Sequence, residues 1–123
     1  MGDSLHEFSV MERTVRRILE RLNGENYERV LKVRMVVGEL THLSEEQMKF
    51  SFQVLTKGTP LEGSVLEIVK KRAKVKCEEC SYRGEIPRVD ESYLLPLFKC
   101  PSCGGKLIIL EGRECYVDSV EVE

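Results

Sequence analysis

Cys77-Glu78-Glu79-Cys80 and Cys100-Pro101-Ser102-Cys103 stand nineteen residues apart, and no other feature restricts the fold as sharply. A CxxC turn aims two sulfurs at one point, and two such turns complete a tetrahedron around a borderline-soft cation. The spacing is that of a zinc ribbon. Four protein thiolates leave no open position, so the ion they hold is structural, a Zn(II) on this reading. A mononuclear iron fits the same tetrahedron and stays open at this level. A thioredoxin-like redox motif does not fit, because it uses one CxxC at the start of a helix, and neither pair here opens a helical pattern. A segment this short buries little apolar surface of its own. Metal binding therefore supplies much of its folding free energy, on the order of 10 kcal/mol. The remaining cysteine, Cys115, reads as a small buried hydrophobe.

The apolar residues Phe8, Met11, Val15, Ile18, Leu19 and Leu22 recur at three- and four-residue steps, which predicts an amphipathic helix over 5–22 that Asn23-Gly24 stops. Leu31, Val33, Met35 and Val37 alternate with Lys32 and Arg34, the period of a strand. Ser44-Glu45-Glu46-Gln47 is a capping box that opens a second helix reaching about Lys57, with Met48, Phe52 and Leu55 inward and Gly58 beyond its end. A strand follows over 64–71, Ala73 and Val75 alternate in what extends it or starts another, and 114–122 alternates again with Tyr116, Val120 and Val122 on one side. The expected fold class is α+β: two helices on a small three-stranded sheet, carrying an inserted four-cysteine zinc-ribbon-like β domain. The domains are then 1–70 plus 112–123, an α/β unit, and 71–111, the insert, joined through a two-stranded neck.

At 123 residues, 41% hydrophobic and 33% charged, the chain is ordinary globular material. No apolar run approaches the ~18 residues of a membrane helix, and the first residues lack the pattern of a signal peptide. The expected location is cytoplasmic, where an odd count of five cysteines favours metal over disulfides. A formal charge of -2 gives no general reason to expect nucleic acid. The rival reading is a zinc-ribbon nucleic-acid binder or adaptor, resting on Lys70, Lys71, Arg72, Lys74 and Lys76. Alternating lysines on a strand are more often a solvated face or edge protection, and zinc with four thiolates adds a formal charge of about -2. No nucleophile motif, glycine-rich phosphate loop or carboxylate–histidine pair supports an enzyme.

There are two histidines. His42 lies in a loop between strand and helix and reads as solvated. His6 precedes Glu7 at the start of the first helix, where backbone amides lack helical partners. Imidazole with amide nitrogens in a plane suits nickel(II) or copper(II), and Glu7 either adds an oxygen or complements the helix dipole.

Read in order, His6-Glu7-Phe8-Ser9-Val10, Val36-Val37-Gly38-Glu39-Leu40, the paired CxxC motifs and Tyr116-Val117-Asp118-Ser119-Val120-Glu121-Val122 resemble the HypA family, nickel metallochaperones of [NiFe]-hydrogenase maturation. The resemblance covers essentially the whole chain. It implies a nickel-binding α/β domain with an inserted zinc domain, Ni(II) as cargo at His6 with Glu7 beside it, and zinc at Cys77, Cys80, Cys100 and Cys103. It also implies a HypB-type GTPase and the hydrogenase large subunit as partners, with urease maturation proteins in some bacteria, and no activity as an enzyme, no nucleic acid and no membrane. The family begins Met-His-Glu, with the free α-amine as a nickel ligand, whereas five residues precede His6 here. Leu5 stands where that methionine does, and some leucine codons initiate translation; Met1 and position 5 both stay open as the native start.

Overall fold

The structure is a computed structural model; it describes residues 2–86 and 99–123, with side chains described from 6 onward. Arg88, Asp90 and Glu91, charged residues of the 71–111 insert, lie outside the described residues. The order is α1 (Gly2–Leu22), β1 (Val30–Gly38), a 3-10 turn (Glu39–Thr41), α2 (Glu45–Thr56), β2 (Val65–Lys71), β3 (Lys74–Cys77), β4 (Arg83–Glu85), β5 (Leu107–Glu111) and β6 (Cys115–Val122). No described helix is long and apolar enough to cross a membrane.

Two three-stranded sheets result, ordered β2-β1-β6 and β4-β3-β5. In the first, β1 is central, parallel to β2 and antiparallel to β6. A parallel pair needs a crossover, and α2 supplies it. Met11, Val15 and Ile18 of α1 and Met48 and Phe52 of α2 close over Val33, Met35, Val37 and Leu66 of the sheet. Burying each such side chain stabilises by roughly 1.5–3 kcal/mol. The opposite face is charged, with Arg34 reaching Glu67 at 3.4 Å and Asp118 at 3.9 Å.

Three details depart from simple periodicity. A register irregularity between Val30 and Lys32 puts Val30 into the core and leaves Leu31 half-buried. Another, opposite Arg34 and Met35, bulges Asp118 outward. The inward residues of β6 are therefore Val117 and Val120, while Tyr116 and Val122, expected to share a face with Val120, are 44% and 42% exposed. Phe8, expected on the inner stripe of α1, is 38% exposed, and Glu7, at 1%, occupies the inner position one turn before Met11.

The second sheet carries its own small core of Ala73, Val75, Ile86 and Leu107 beside Cys77 and Cys100. β4 and β5 lie outside the elements that periodicity indicated. β3 is a new strand rather than an extension of β2, because Arg72 and Ala73 interrupt the ladder.

Where the sheets meet, the backbones nearly touch. Gly38 N–H donates to Glu114 O at 2.7 Å and Leu40 N–H to Gly112 O at 2.8 Å. A Cβ on Gly38 would lie 2.2 Å from that Gly112 oxygen. Gly112 itself has φ 125° and faces the Ala73 methyl, a conformation and a clearance that only glycine meets. The Glu39 carboxylate accepts the Ala73 N–H at 2.5 Å, so the acid of the Gly-Glu-Leu stretch ties the end of β1 to the entry of β3. Lys71 completes the junction, 3.2 Å from Glu111 and 3.5 Å from Glu114. Its amine is raised above the ordinary value, chiefly by the hydrogen bond to Glu111. Glu114 is lowered, chiefly by the Gly112 N–H it accepts.

Candidate metal centre

The four thiols expected from the sequence converge. The sulfurs of Cys77, Cys80, Cys100 and Cys103 all lie within 4.8 Å of one another, with Cys77 to Cys103 and Cys80 to Cys100 at 3.5 Å. A tetrahedron with Zn–S bonds of about 2.3 Å has edges of about 3.8 Å, so the cluster fits zinc. Cys77 ends β3, Cys100 follows a bridge between Lys99 and Lys106, and each starts a tight turn.

Each turn repeats one local device. The amide two residues on points at the first sulfur of the pair: Glu79 N–H to Cys77 Sγ and Ser102 N–H to Cys100 Sγ, both at 3.3 Å. The second sulfurs receive Tyr82 N–H and Gly105 N–H, both at 3.4 Å. Four amide dipoles thus aim at the sulfurs, an arrangement that favours thiolates. Without a cation the thiols work against one another. At Cys100 burial opposes ionisation, yet hydrogen bonds from Cys103, Ser102 and Cys80 bring it down to about 7. At Cys103 the Gly105 amide favours ionisation, but neighbouring thiols and burial push it up to about 12. A bound dication relieves that conflict and fixes the two turns together. Four soft donors on a closed tetrahedron describe a structural site.

His6 and Glu7 are separated by the helix. His6 is exposed, whereas the Glu7 carboxylate is buried against the N-terminus of α2. Its Oε2 accepts the Ser44 N–H at 2.6 Å, and its Oε1 has no hydrogen-bond partner among the described residues. Ser44 caps α2, its hydroxyl accepting the Gln47 N–H at 3.3 Å. Glu7 therefore complements the dipole of α2, not that of its own helix. The signal was a four-residue step from Glu7 to Met11, which places the acid on the buried face. Because α1 begins at Gly2, His6 is past the first four amides, and i to i−4 geometry assigns its N–H to the Gly2 carbonyl. An amide nitrogen at position 6 becomes a ligand only when that first turn opens.

His42 is exposed, as expected, and is the only non-glycine residue with positive φ among those described, at 57°. Its ring is not gathered with His6 and Glu7; the four cysteines are the only group of three or more metal-capable side chains in reach of one another among the described residues. Cys115 differs from expectation. It is exposed at the start of β6, where it borders an open recess lined by Val10, Arg13, Thr14 and Arg17 of α1. Desolvation of its sulfur raises the thiol, with Arg13 opposing. The basic run of the insert is partly neutralised, Lys71 by Glu111 and Glu114 and Arg72 by Glu85 at 2.9 Å.

Comparison with known proteins agrees with this architecture. A family model described as hydrogenase/urease nickel incorporation, metallochaperone, HypA matches residues 5–122. The hydrogenase maturation factor HypA of Methanothermobacter thermautotrophicus is 33% identical, over 97% of this chain and 98% of its own length. That of Methanopyrus kandleri is 36% identical, over 97% and 94%. Among solved structures, the Ni metallochaperone HypA from Helicobacter pylori shares the fold with a TM-score of 0.62 at 20% identity, over 94% of this chain and 96% of that one. A second solution structure of a HypA protein reaches 0.68 at 20% identity, over 97% of each.

Proposed function

The chain belongs to the HypA family, and from that premise we propose that it carries Ni(II) on His6 and surrenders it during hydrogenase maturation. The family's work is nickel incorporation, and this chain's function is that of a metallochaperone; the four-thiolate site holds zinc as a fixed part of the fold. The observation that carries the His6 assignment is its exposure on the first turns of α1, beside a buried carboxylate with one oxygen unpartnered among the described residues.

A carrier binds its ion tightly enough to win it and loosely enough to pass it on. A nitrogen ligand at the surface, available only when neutral, suits exchange with a recipient and releases metal as pH falls. The thiolate cage suits retention. A nickel ligand on α1 and a thiolate cage at the end of the second sheet keep the two demands apart. Glu7 acts as an anchor, holding α1 to α2 through Ser44, and joins the nickel of His6 as an oxygen donor only when that contact opens. We assign residues 1–70 with 112–123 to the nickel-binding unit and 71–111 to the zinc-binding unit, a division supported by the two distinct cores. The partners in this reading are a HypB-type GTPase, the hydrogenase large subunit and, where urease is made, its maturation proteins, all in the cytoplasm.

The test is calorimetric titration of nickel into zinc-loaded protein, beside His6→Ala and a version beginning Met-His-Glu at position 5. One nickel bound at micromolar or better by the intact chain, lost in His6→Ala with zinc retained, is the expected result. The shortened version then measures what the free amine adds. Unchanged binding in His6→Ala overturns the assignment of His6.

A further inference from the structure

α1 carries arginine at positions 13, 17 and 21, one face at four-residue steps. Like charges at that spacing repel and destabilise a helix. Arg16, on a different face, is relieved by Glu12 at 3.8 Å, but Arg13, Arg17 and Arg21 have no ion-pair partner among the described residues. All three are exposed, and they stand along a groove between α1 and β6. Its main part, a cavity of about 530 Å³, has an apolar floor of Ile18, Leu22, Val117 and Val120. Arg17, Thr14 and Cys115 continue into a smaller recess of about 240 Å³ that also takes in Arg13. The lining includes one carboxylate, Glu25, at the far end. Asp118 is turned out toward Arg34.

The other wall is a sheet edge. β6 pairs with β1 on one side and with no strand on the other among the described residues, so its outer backbone groups are open at the sheet edge that borders the groove. From Val10 to Leu22 the helix runs about 18 Å at 1.5 Å per residue, the span of about five or six residues of extended chain at 3.3 Å each.

We propose that this groove docks an extended, acidic segment of a partner protein, added beside β6 with every second side chain, a carboxylate, turned to the α1 side of the sheet toward Arg13, Arg17 and Arg21. The unpaired strand edge selects a peptide backbone over a nucleic acid, and the arginines select its charge. The site is independent of the nickel ligands, since His6 lies outside the lining.

Cys115 is a built-in reporter, the one thiol of five left once the other four hold zinc. Its alkylation by iodoacetamide in zinc-loaded full chain is followed by intact mass, with and without an about six-residue peptide alternating glutamate with threonine. The expected result is at least fivefold slower alkylation with the glutamate peptide, none with its lysine counterpart, and loss of protection in Arg17→Gln/Arg21→Gln. Circular dichroism of that variant, with both positions exposed, shows whether the fold is kept. No protection by the acidic peptide, equal protection by the lysine peptide, or protection by a single-stranded oligonucleotide matching the acidic peptide at 150 mM salt overturns the proposal.

Discussion

Replacing Glu7 by Gln tests the buried carboxylate with almost no change of shape. In the native chain Oε2 takes the Ser44 N–H at 2.6 Å while the side chain is 1% exposed. Gln keeps an acceptor there but makes a neutral bond of a charge-assisted one, a loss of about 1 kcal/mol. It also gives up a favourable charge at the α2 N-terminus, about 0.5–1 kcal/mol. The new amide group sits where Oε1 lacks a partner, and burying unpaired donors costs about 1–3 kcal/mol. Against these stands the relief of no longer burying a charge, several kcal/mol in a dry interior and less beside a helix terminus. The expected net is destabilisation of about 1–2 kcal/mol, and about 3–4 kcal/mol for Glu7→Ala, which adds a cavity and leaves Ser44 N–H without its acceptor. The assay is urea unfolding of zinc-loaded protein at neutral pH, read by helical circular dichroism. A Glu7→Gln variant more stable than the parent would refute the reasoning, since burial of the charge would then outweigh everything the contact with α2 supplies.

Removing zinc with a chelator should cut amide-exchange protection at Val75, Lys76 and Ile109 of the second sheet at least a hundredfold, a small share of the ~10 kcal/mol such sites supply. Met35 of β1 and Phe52 of α2 should keep most of theirs; equal losses in both sheets would show that the cores are not separable. Gly38→Ala forces a Cβ against the Gly112 carbonyl and should lower stability by about 1–3 kcal/mol, as overpacking does; an unchanged urea midpoint would mean the junction yields freely. The junction also predicts a pH window. Glu114 is depressed below 4.5, so its contribution is present above that value and lost as pH falls through its folded pKa. Lys71 is raised above 10.5, so its contribution is present below that value and lost as pH rises through its folded pKa. Lys71→Met should therefore flatten the alkaline limb of the stability profile, and an unaltered limb would count against the pair.

The cysteine cluster was legible because ligand spacing states its own geometry: two CxxC turns with a suitable interval converge whatever surrounds them. α1, α2 and β1 were legible from period, and Ser44 from the capping box it begins. Position on a face was less so. Phe8 fits the apolar stripe by type, but Glu7 fits the buried face by phase, and a carboxylate is discounted as a core residue until its partner, the Ser44 amide across the fold, is known. Tyr116 was misplaced by one bulge, since an extra residue at Asp118 reverses the phase between Tyr116 and Val120, and nothing in the local composition announces it; Val122 keeps the phase of Val120 and is exposed where the strand ends. Cys115 shares the side of Val117 but borders an open recess beside α1, a gap between elements that no local pattern records. β4 has three residues, too few for any alternation to register, and β5 is an apolar run whose length does not distinguish strand from helix. His6 stands where the sequence put it, at the exposed start of α1, though on an amide inside the helix and not at its open end.

The order β2-β1-β6 has a consequence for how the chain is assembled. β1 must hold one side open through the synthesis of β2 and both cysteine pairs, because its second neighbour is the last strand made. Pairing β6 with β1 closes a long loop, and long loops close slowly. Once the metal has set β5 beside β3, however, Gly112 is already at Gly38, and only the few residues after it need to zip along β1. Metal loading of the cysteines thus converts the final strand pairing from a distant encounter into a local one. A chain starved of zinc keeps the inner strand unpartnered for longer, open to the β6 of another copy.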